Sequence, residues 1–118
     1  MTRYQTDQLT IESHKSRDKL VIRWLGRSEA RDPGRALQPV LEAVGADVSG
    51  ATSVEFDFRL LEYMNSSTIH PILKLVQSVS ACTTRVRVVY DRNKNWQRLS
   101  FMAMGAVLAS LKNVEVSA

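Results

Sequence analysis

Four short polar side chains stand in a row in this sequence, Asn65-Ser66-Ser67-Thr68, just ahead of a stretch with helical periodicity. Asparagine, serine and threonine are residue types whose side-chain oxygens accept hydrogen bonds from the free N–H groups of a helix start. One cap serves one helix, so this run holds more hydroxyls than capping needs. A surplus hydroxyl at the lip of a helix has chemical uses. It is a phosphoacceptor for a kinase, or it joins the backbone N–H groups in seating an anion or nucleotide. A rich cap with no further role is the plain alternative.

The other reactive residue types are dispersed. His14, His70 and the single cysteine, Cys82, make no zinc-ligand spacing and no visible nucleophile–base set. No Walker-type glycine-rich loop is present. The expectation is a protein that is not an enzyme and holds no metal or cofactor. His70 reads as a surface histidine beside the polar run.

The elements that must position the run follow from apolar spacing. Residues 8–13 alternate apolar and polar, residues 16–18 make a turn, and residues 19–25 form a second strand, so the chain opens on a hairpin. Residues 26–34 read as loop, ending in Asp32-Pro33, a cap followed by proline at the first helical position. A helix over 36–44 buries Leu37, Val40, Leu41 and Val44, and Pro39 inside it requires a kink or a late start. Residues 53–58 form a strand, and a loop then leads to a helix over 67–80 with Ile69, Ile72, Leu73, Val76 and Val79 on one face.

Pro71 confines the start of that helix, because proline is harmless within a first turn. The boundary falls near Ser67 or Thr68, with a loose first turn, and Ser66 is left at the lip with its hydroxyl outward. Residues 85–90 give another strand, and Asn95 caps a third helix running to about Lys112. Leu99, Met102, Ala103, Ala106, Val107 and Ser110 line one side of it, while Phe101, Met104 and Leu108 lie away from Ala103 and Ala106. A helix apolar nearly all round is deeply buried or presents a stripe to a partner. Residues 114–116 close with a short strand. The order β-β-α-β-α-β-α-β predicts an α/β domain, a mixed, mainly parallel sheet with about three helices.

At 118 residues and 44% hydrophobic content, the chain suffices for one domain over 1–118 with its own core. The net charge of +4 is spread out, with no block of five like charges, so no nucleic-acid partner is expected. The first seven residues lack the apolar stretch of a signal peptide, and the apolar run 101–109 is half the length of a membrane span. Those features, with one thiol, predict a cytoplasmic protein that does not enter a membrane.

Residues 54–68, read Val54-Glu55-Phe56-Asp57-Phe58-Arg59-Leu60-Leu61-Glu62-Tyr63-Met64-Asn65-Ser66-Ser67-Thr68, resemble the signature of STAS domains, the anti-sigma-factor antagonist fold. That signature has a strand ending in Asp, then Asp-Ser-Ser-Gly opening a helix eight residues on. Asp57 matches the first Asp, Asn65 stands in the place of the second, and Ser66 and Ser67 match the paired serines. Asn65 for Asp and Thr68 for Gly depart from the pattern, and they bring the run closer to the STAS-like bacterial phosphoproteins that control diguanylate cyclases and biofilm formation.

The resemblance implies a partner-switching regulator. A GHKL-type serine kinase phosphorylates the first hydroxyl after the Asp/Asn, and a PP2C-type phosphatase reverses it. Ser66 is then the phosphoacceptor, with Ser67 and Thr68 as lesser candidates. Asp57, Tyr63, Met64, Asn65, Ser67 and Thr68 make the switch loop and partner surface, and the downstream target is an anti-sigma factor or a diguanylate cyclase. The rival reading is a sensor that binds an anion or nucleotide at the helix start, residues 65–68.

Overall fold

The computed structural model describes residues 2–118. A polar strand opens it, β1 (Thr2–Thr6), followed by β2 (Leu9–Ser16) and β3 (Lys19–Ser28). Then come a single helical turn α1 (Pro33–Ala36), α2 (Gln38–Asp47), β4 (Ser53–Asp57) and β5 (Leu61–Met64). A 3-10 turn (Ser66–Thr68) leads into α3 (Ile69–Ser80), and β6 (Arg85–Val89), α4 (Asn95–Leu108) and β7 (Val114–Ser117) complete the order. The sheet runs β1-β2-β3-β4-β6-β7, with β5 paired to the far end of β3. Pairs β1–β2 and β2–β3 are antiparallel, and the other four are parallel. The expected α/β class and mixed, mainly parallel sheet hold.

Four corrections concern detail. β1 extends the sheet beyond the opening hairpin: its side chains are mostly exposed, so it carries no strong apolar alternation, and Tyr4 ties it to α2 through a 2.7 Å bond to Asp47. β3 continues to Ser28 through residues expected to be loop. The loop after β4 contains β5, which pairs with that extension. The first helix is divided at Leu37. Asp32 caps α1, its carboxylate accepting from Arg35 N–H, and Pro39 sits in the first turn of α2, where its missing N–H is harmless. This is the late start that Pro39 allowed.

Gly26 makes the extension of β3 possible. Its φ is +89°, and a Cβ there would lie 2.2 Å from the carbonyl of Gln8. The register of β3 against β5 shifts at Gly26/Arg27, which lets one strand pair first with β4 and then with β5.

Alternation decides the layers. Leu9 and Ile11, Leu20, Ile22 and Trp24, Val54 and Phe56, and Val86 and Val88 face a core closed by Val40 and Val44 of α2, Ile72, Leu75, Val76 and Val79 of α3, and Phe101, Met104 and Leu108 of α4. The other face of the sheet carries Glu12, His14, Arg23, Glu55, Arg87 and Glu115, joined in part by the ion pairs Arg3–Glu12 and Arg87–Glu55. Phe58, one residue past β4, is the hub of the aromatic packing. Its ring centroid lies 5.2 Å from Trp24 and 4.9 Å from Phe101. The chain segment leading to the polar run is therefore anchored at its start.

Candidate functional site

The polar run sits at the carboxyl end of the parallel strands, where loops of such sheets meet ligands and partners. Asn65 is the cap of the 3-10 turn, extended at φ −76° and ψ 164°, and its side-chain oxygen accepts from the N–H of Thr68 at 3.1 Å. The same oxygen accepts from the Thr68 hydroxyl at 2.6 Å, and the Asn65 amide donates to the Ala30 carbonyl at 2.8 Å. Thr68 has one hydroxyl proton, and it goes to Asn65. The buried 2.8 Å contact between the hydroxyls of Ser28 and Thr68 must therefore have Ser28 as donor.

A directed chain results, Ser28 to Thr68 to Asn65, with Asn65 also donating to Ala30. It pins the start of α3 to the end of β3 and to the following loop. The two departures from the STAS pattern explain each other here. An aspartate would bring no N–H for the Ala30 carbonyl, and a glycine would bring no hydroxyl for Asn65 or Ser28.

The consequences for the three hydroxyls differ. Ser66 and Ser67 are exposed in the 3-10 turn, while Thr68 is fully buried with its hydroxyl engaged on both sides. Thr68, expected as a lesser phosphoacceptor and a surface residue, is a structural post. Replacing it with valine keeps the shape and deletes the chain, leaving the buried Ser28 hydroxyl without its acceptor. The expected loss is about 2 kcal/mol of unfolding free energy, read from denaturant midpoints at unchanged slope.

Two other residues expected at a partner surface also face inward. Met64 is buried: the ends of β5, Leu61 and Met64, turn into the core, while Glu62 and Tyr63 between them lie outside. Asp57 is buried at the end of β4 and its carboxylate is fully occupied. It accepts from the Arg59 N–H at 3.0 Å, from the Arg59 guanidinium at 3.0 and 2.9 Å, and from Arg23 at 3.4 Å. Burial alone would raise this carboxyl, but the Arg59 side chain and backbone, and then Arg23, hold it below its ordinary value of 3.8. Asp57 thus orders the strand exit from a buried position, in keeping with its expected place at a strand end.

Tyr63 stays outside. It is half-exposed, and the Arg27 guanidinium lies 4.7 Å above its ring. Tyr63, Ser66 and Ser67 are therefore the surface members of the expected loop. His70 is exposed in the first turn of α3, while Pro71 beside it is buried, the loose start being the 3-10 segment. His14 and Cys82 are also exposed and stand on other elements, β2 and the turn after α3.

Gln97 plays a part that sequence reasoning missed. Fully buried in α4, it donates to the carbonyls of Phe58 and Leu61 at 2.7 and 2.8 Å and accepts from the N–H of Asp91 at 2.8 Å. One side chain thus holds the β4–β5 connection and the loop after β6 together. A glutamine in an apolar helix was its signal, but two of its three partners lie 36 and 39 residues away in sequence.

By sequence, neither a family model nor a curated protein matches the chain. By structure, it resembles the unphosphorylated form of the anti-sigma factor antagonist SpoIIAA, with a TM-score of 0.63 and 16% identity over 92% of this chain and 88% of that one. The fold is SpoIIAA-like. The phosphorylated form of the Bacillus cell fate determinant SpoIIAA gives a TM-score of 0.55 at 15% identity, covering 92% and 91% of the two chains. An anti-sigma factor antagonist from Mycobacterium paratuberculosis shares the SpoIIAA-like fold at a TM-score of 0.57 and 16% identity, over 84% of this chain and 81% of its own. The STAS-like fold expected from residues 54–68 is the fold of the chain. Among the described residues, no helix is long and apolar enough to cross a membrane.

Proposed function

We propose that this chain is a non-enzymatic regulatory module that binds a partner protein through the loop around Tyr63, Ser66 and Ser67, and that phosphorylation of Ser66 switches the binding. A GHKL-type serine kinase adds the phosphate and a PP2C-type phosphatase removes it. The downstream target is an anti-sigma factor or a diguanylate cyclase, and the setting is the cytoplasm.

The observation that carries this reading is the division of the hydroxyls. The capping work falls to Asn65 and Thr68, which are tied inward, and Ser66 between the cap and the helix is left exposed with no part in the pinning chain. A SpoIIAA-like fold occurs in both phosphorylated and unphosphorylated forms of SpoIIAA, which supports a modification that the fold tolerates. An anion sensor at residues 65–68 is less well supported, because the N–H of Thr68 is already taken by the Asn65 oxygen.

The test is incubation of the whole chain with ATP and a GHKL-type kinase, followed by mass spectrometry of its peptides. One phosphate on Ser66 is expected, with incorporation abolished in Ser66→Ala and retained in Ser67→Ala. Phosphate found solely outside residues 65–68 would overturn the reading.

A further inference from the structure

We infer that the outward face of α4 is a second docking surface, one that receives an acidic amphipathic helix from a partner protein. Leu99, Met102 and Val107 are 57%, 59% and 54% exposed, and among the described residues they are three of the five large apolar side chains left open to solvent. With Ala103 and Ala106 they recur at the spacing of one helix face, opposite to Phe101, Met104 and Leu108, which are buried. An apolar stripe of this kind on a solvent face marks an interaction site.

Charge selects the occupant. No acidic residue occurs from Arg92 to Val114, while Arg92, Lys94 and Arg98 stand at one end of the stripe and Lys112 at the other. Lys94 also donates to the Arg59 carbonyl at 2.6 Å, which brings the exposed Leu60 to the same end, while the Arg59 guanidinium is taken by Asp57. Glu115 lies on β7 between Val114 and Val116, which face α4, so it points to the opposite side of the sheet. A matching surface is apolar along one side and acidic at its flanks.

Shape selects a helix. Between α4 and the edge strand β7 runs a groove of about 380 Å³, lined by Met102, Gly105, Ala109, Val114 and Val116. A Cβ at Gly105 would sit in ordinary contact with Val116, 3.6 Å away, and would take up part of the groove. Small residues beside a groove admit the side-chain knobs of a docking helix. A membrane-binding face would present several of Trp, Phe and Leu, whereas Trp96, Phe101 and Leu108 of this helix pack toward the core and Leu99 alone of that set is exposed. A second copy is disfavoured in both directions, because parallel α4 helices would set Arg98 beside Arg98, and antiparallel ones would set Arg98 beside Lys112. The inference stands on α4 and the neighbouring β7 and does not depend on Ser66.

The experiment titrates the isotope-labelled full chain with a synthetic helical peptide about five turns long, with leucines on one face and glutamates flanking them. Shifts are expected in α4 and β7, with a roughly tenfold or greater loss of affinity for Met102→Glu and for a peptide carrying lysines in place of the glutamates. Met102 is exposed, and an unchanged melting temperature of the variant keeps the comparison fair. Absence of shifts in α4, or equal binding of the lysine peptide, would overturn the proposal. So would a dimer, seen by sedimentation, that Met102→Glu dissolves, or Met102-dependent binding to anionic phosphatidylglycerol vesicles without any response to the peptide.

Discussion

Replacing Gln97 with leucine is expected to lower the free energy of unfolding by about 3–5 kcal/mol, the largest effect of any single polar substitution considered for this chain. Leucine fills a similar volume, so the loss reports hydrogen bonding and not a cavity. Three bonds vanish together, two to carbonyls and one from the N–H of Asp91. The Phe58 carbonyl keeps the N–H of Leu61 at 3.0 Å, but the Leu61 carbonyl loses its side-chain donor and the N–H of Asp91 its side-chain acceptor. Each buried group stranded this way costs about 1–3 kcal/mol, against a total stability of about 5–15 kcal/mol for a domain. Urea unfolding at constant slope measures the loss. A change below about 1 kcal/mol would mean that water takes over Gln97's partners. Because Phe58 and Leu61 bracket the connection into β5, amide exchange over residues 59–64 should quicken in the same variant before the sheet itself loosens.

That dependence marks where the sequence stops speaking. β2, β4, α3 and β6 are legible because one of their faces is buried, and burial writes a period of two or of 3.6 into the residues. β1 and β5 lack that imprint. β1 is exposed along most of its length, and β5 has four residues whose partner is the far end of β3, reached because Gly26 permits a shift of register. Pro39 could be read as a kink or a late start, and packing at Leu37 chose the late start. For α4 the ambiguity was physical. A helix apolar on every side satisfies the periodic test in more than one orientation, and the face holding Phe101, Met104 and Leu108 was selected by the sheet beneath it. At the site, Asn65 to Thr68 was visible as a capping run with a surplus. Which hydroxyls were surplus was not, because the answer depends on Ser28 and Ala30, brought there by β3 and the loop after it from 40 and 35 residues away.

Phosphorylation of Ser66 is expected to weaken the binding of its target by about 100-fold while moving the melting temperature by no more than about 2 °C. The two halves of this prediction come from the same geometry. Asn65 and Thr68 hold the turn from either side through bonds that do not use the Ser66 hydroxyl, so a phosphate there disturbs none of them. Lying at the start of α3, it is favoured by the helix dipole by about 0.3–1 kcal/mol, which offsets any local repulsion. A partner closing over Tyr63, Ser66 and Ser67 meets the opposite situation. It must strip water from a group carrying about −1.5 to −2 charges, and the attraction regained falls short of that cost unless a cation is placed to answer it. Ser66→Asp carries one charge on a shorter, planar group, so its loss of affinity should fall between those of the unmodified and phosphorylated chains. Ser66→Ala should bind as the unmodified chain does. Calorimetry on the three forms and the phosphoprotein reads the order directly. Equal affinity in all four would mean that the partner approaches from elsewhere on the molecule, and a large fall in melting temperature would mean that the phosphate acts by opening the Asn65–Thr68 clasp rather than by guarding the surface above it.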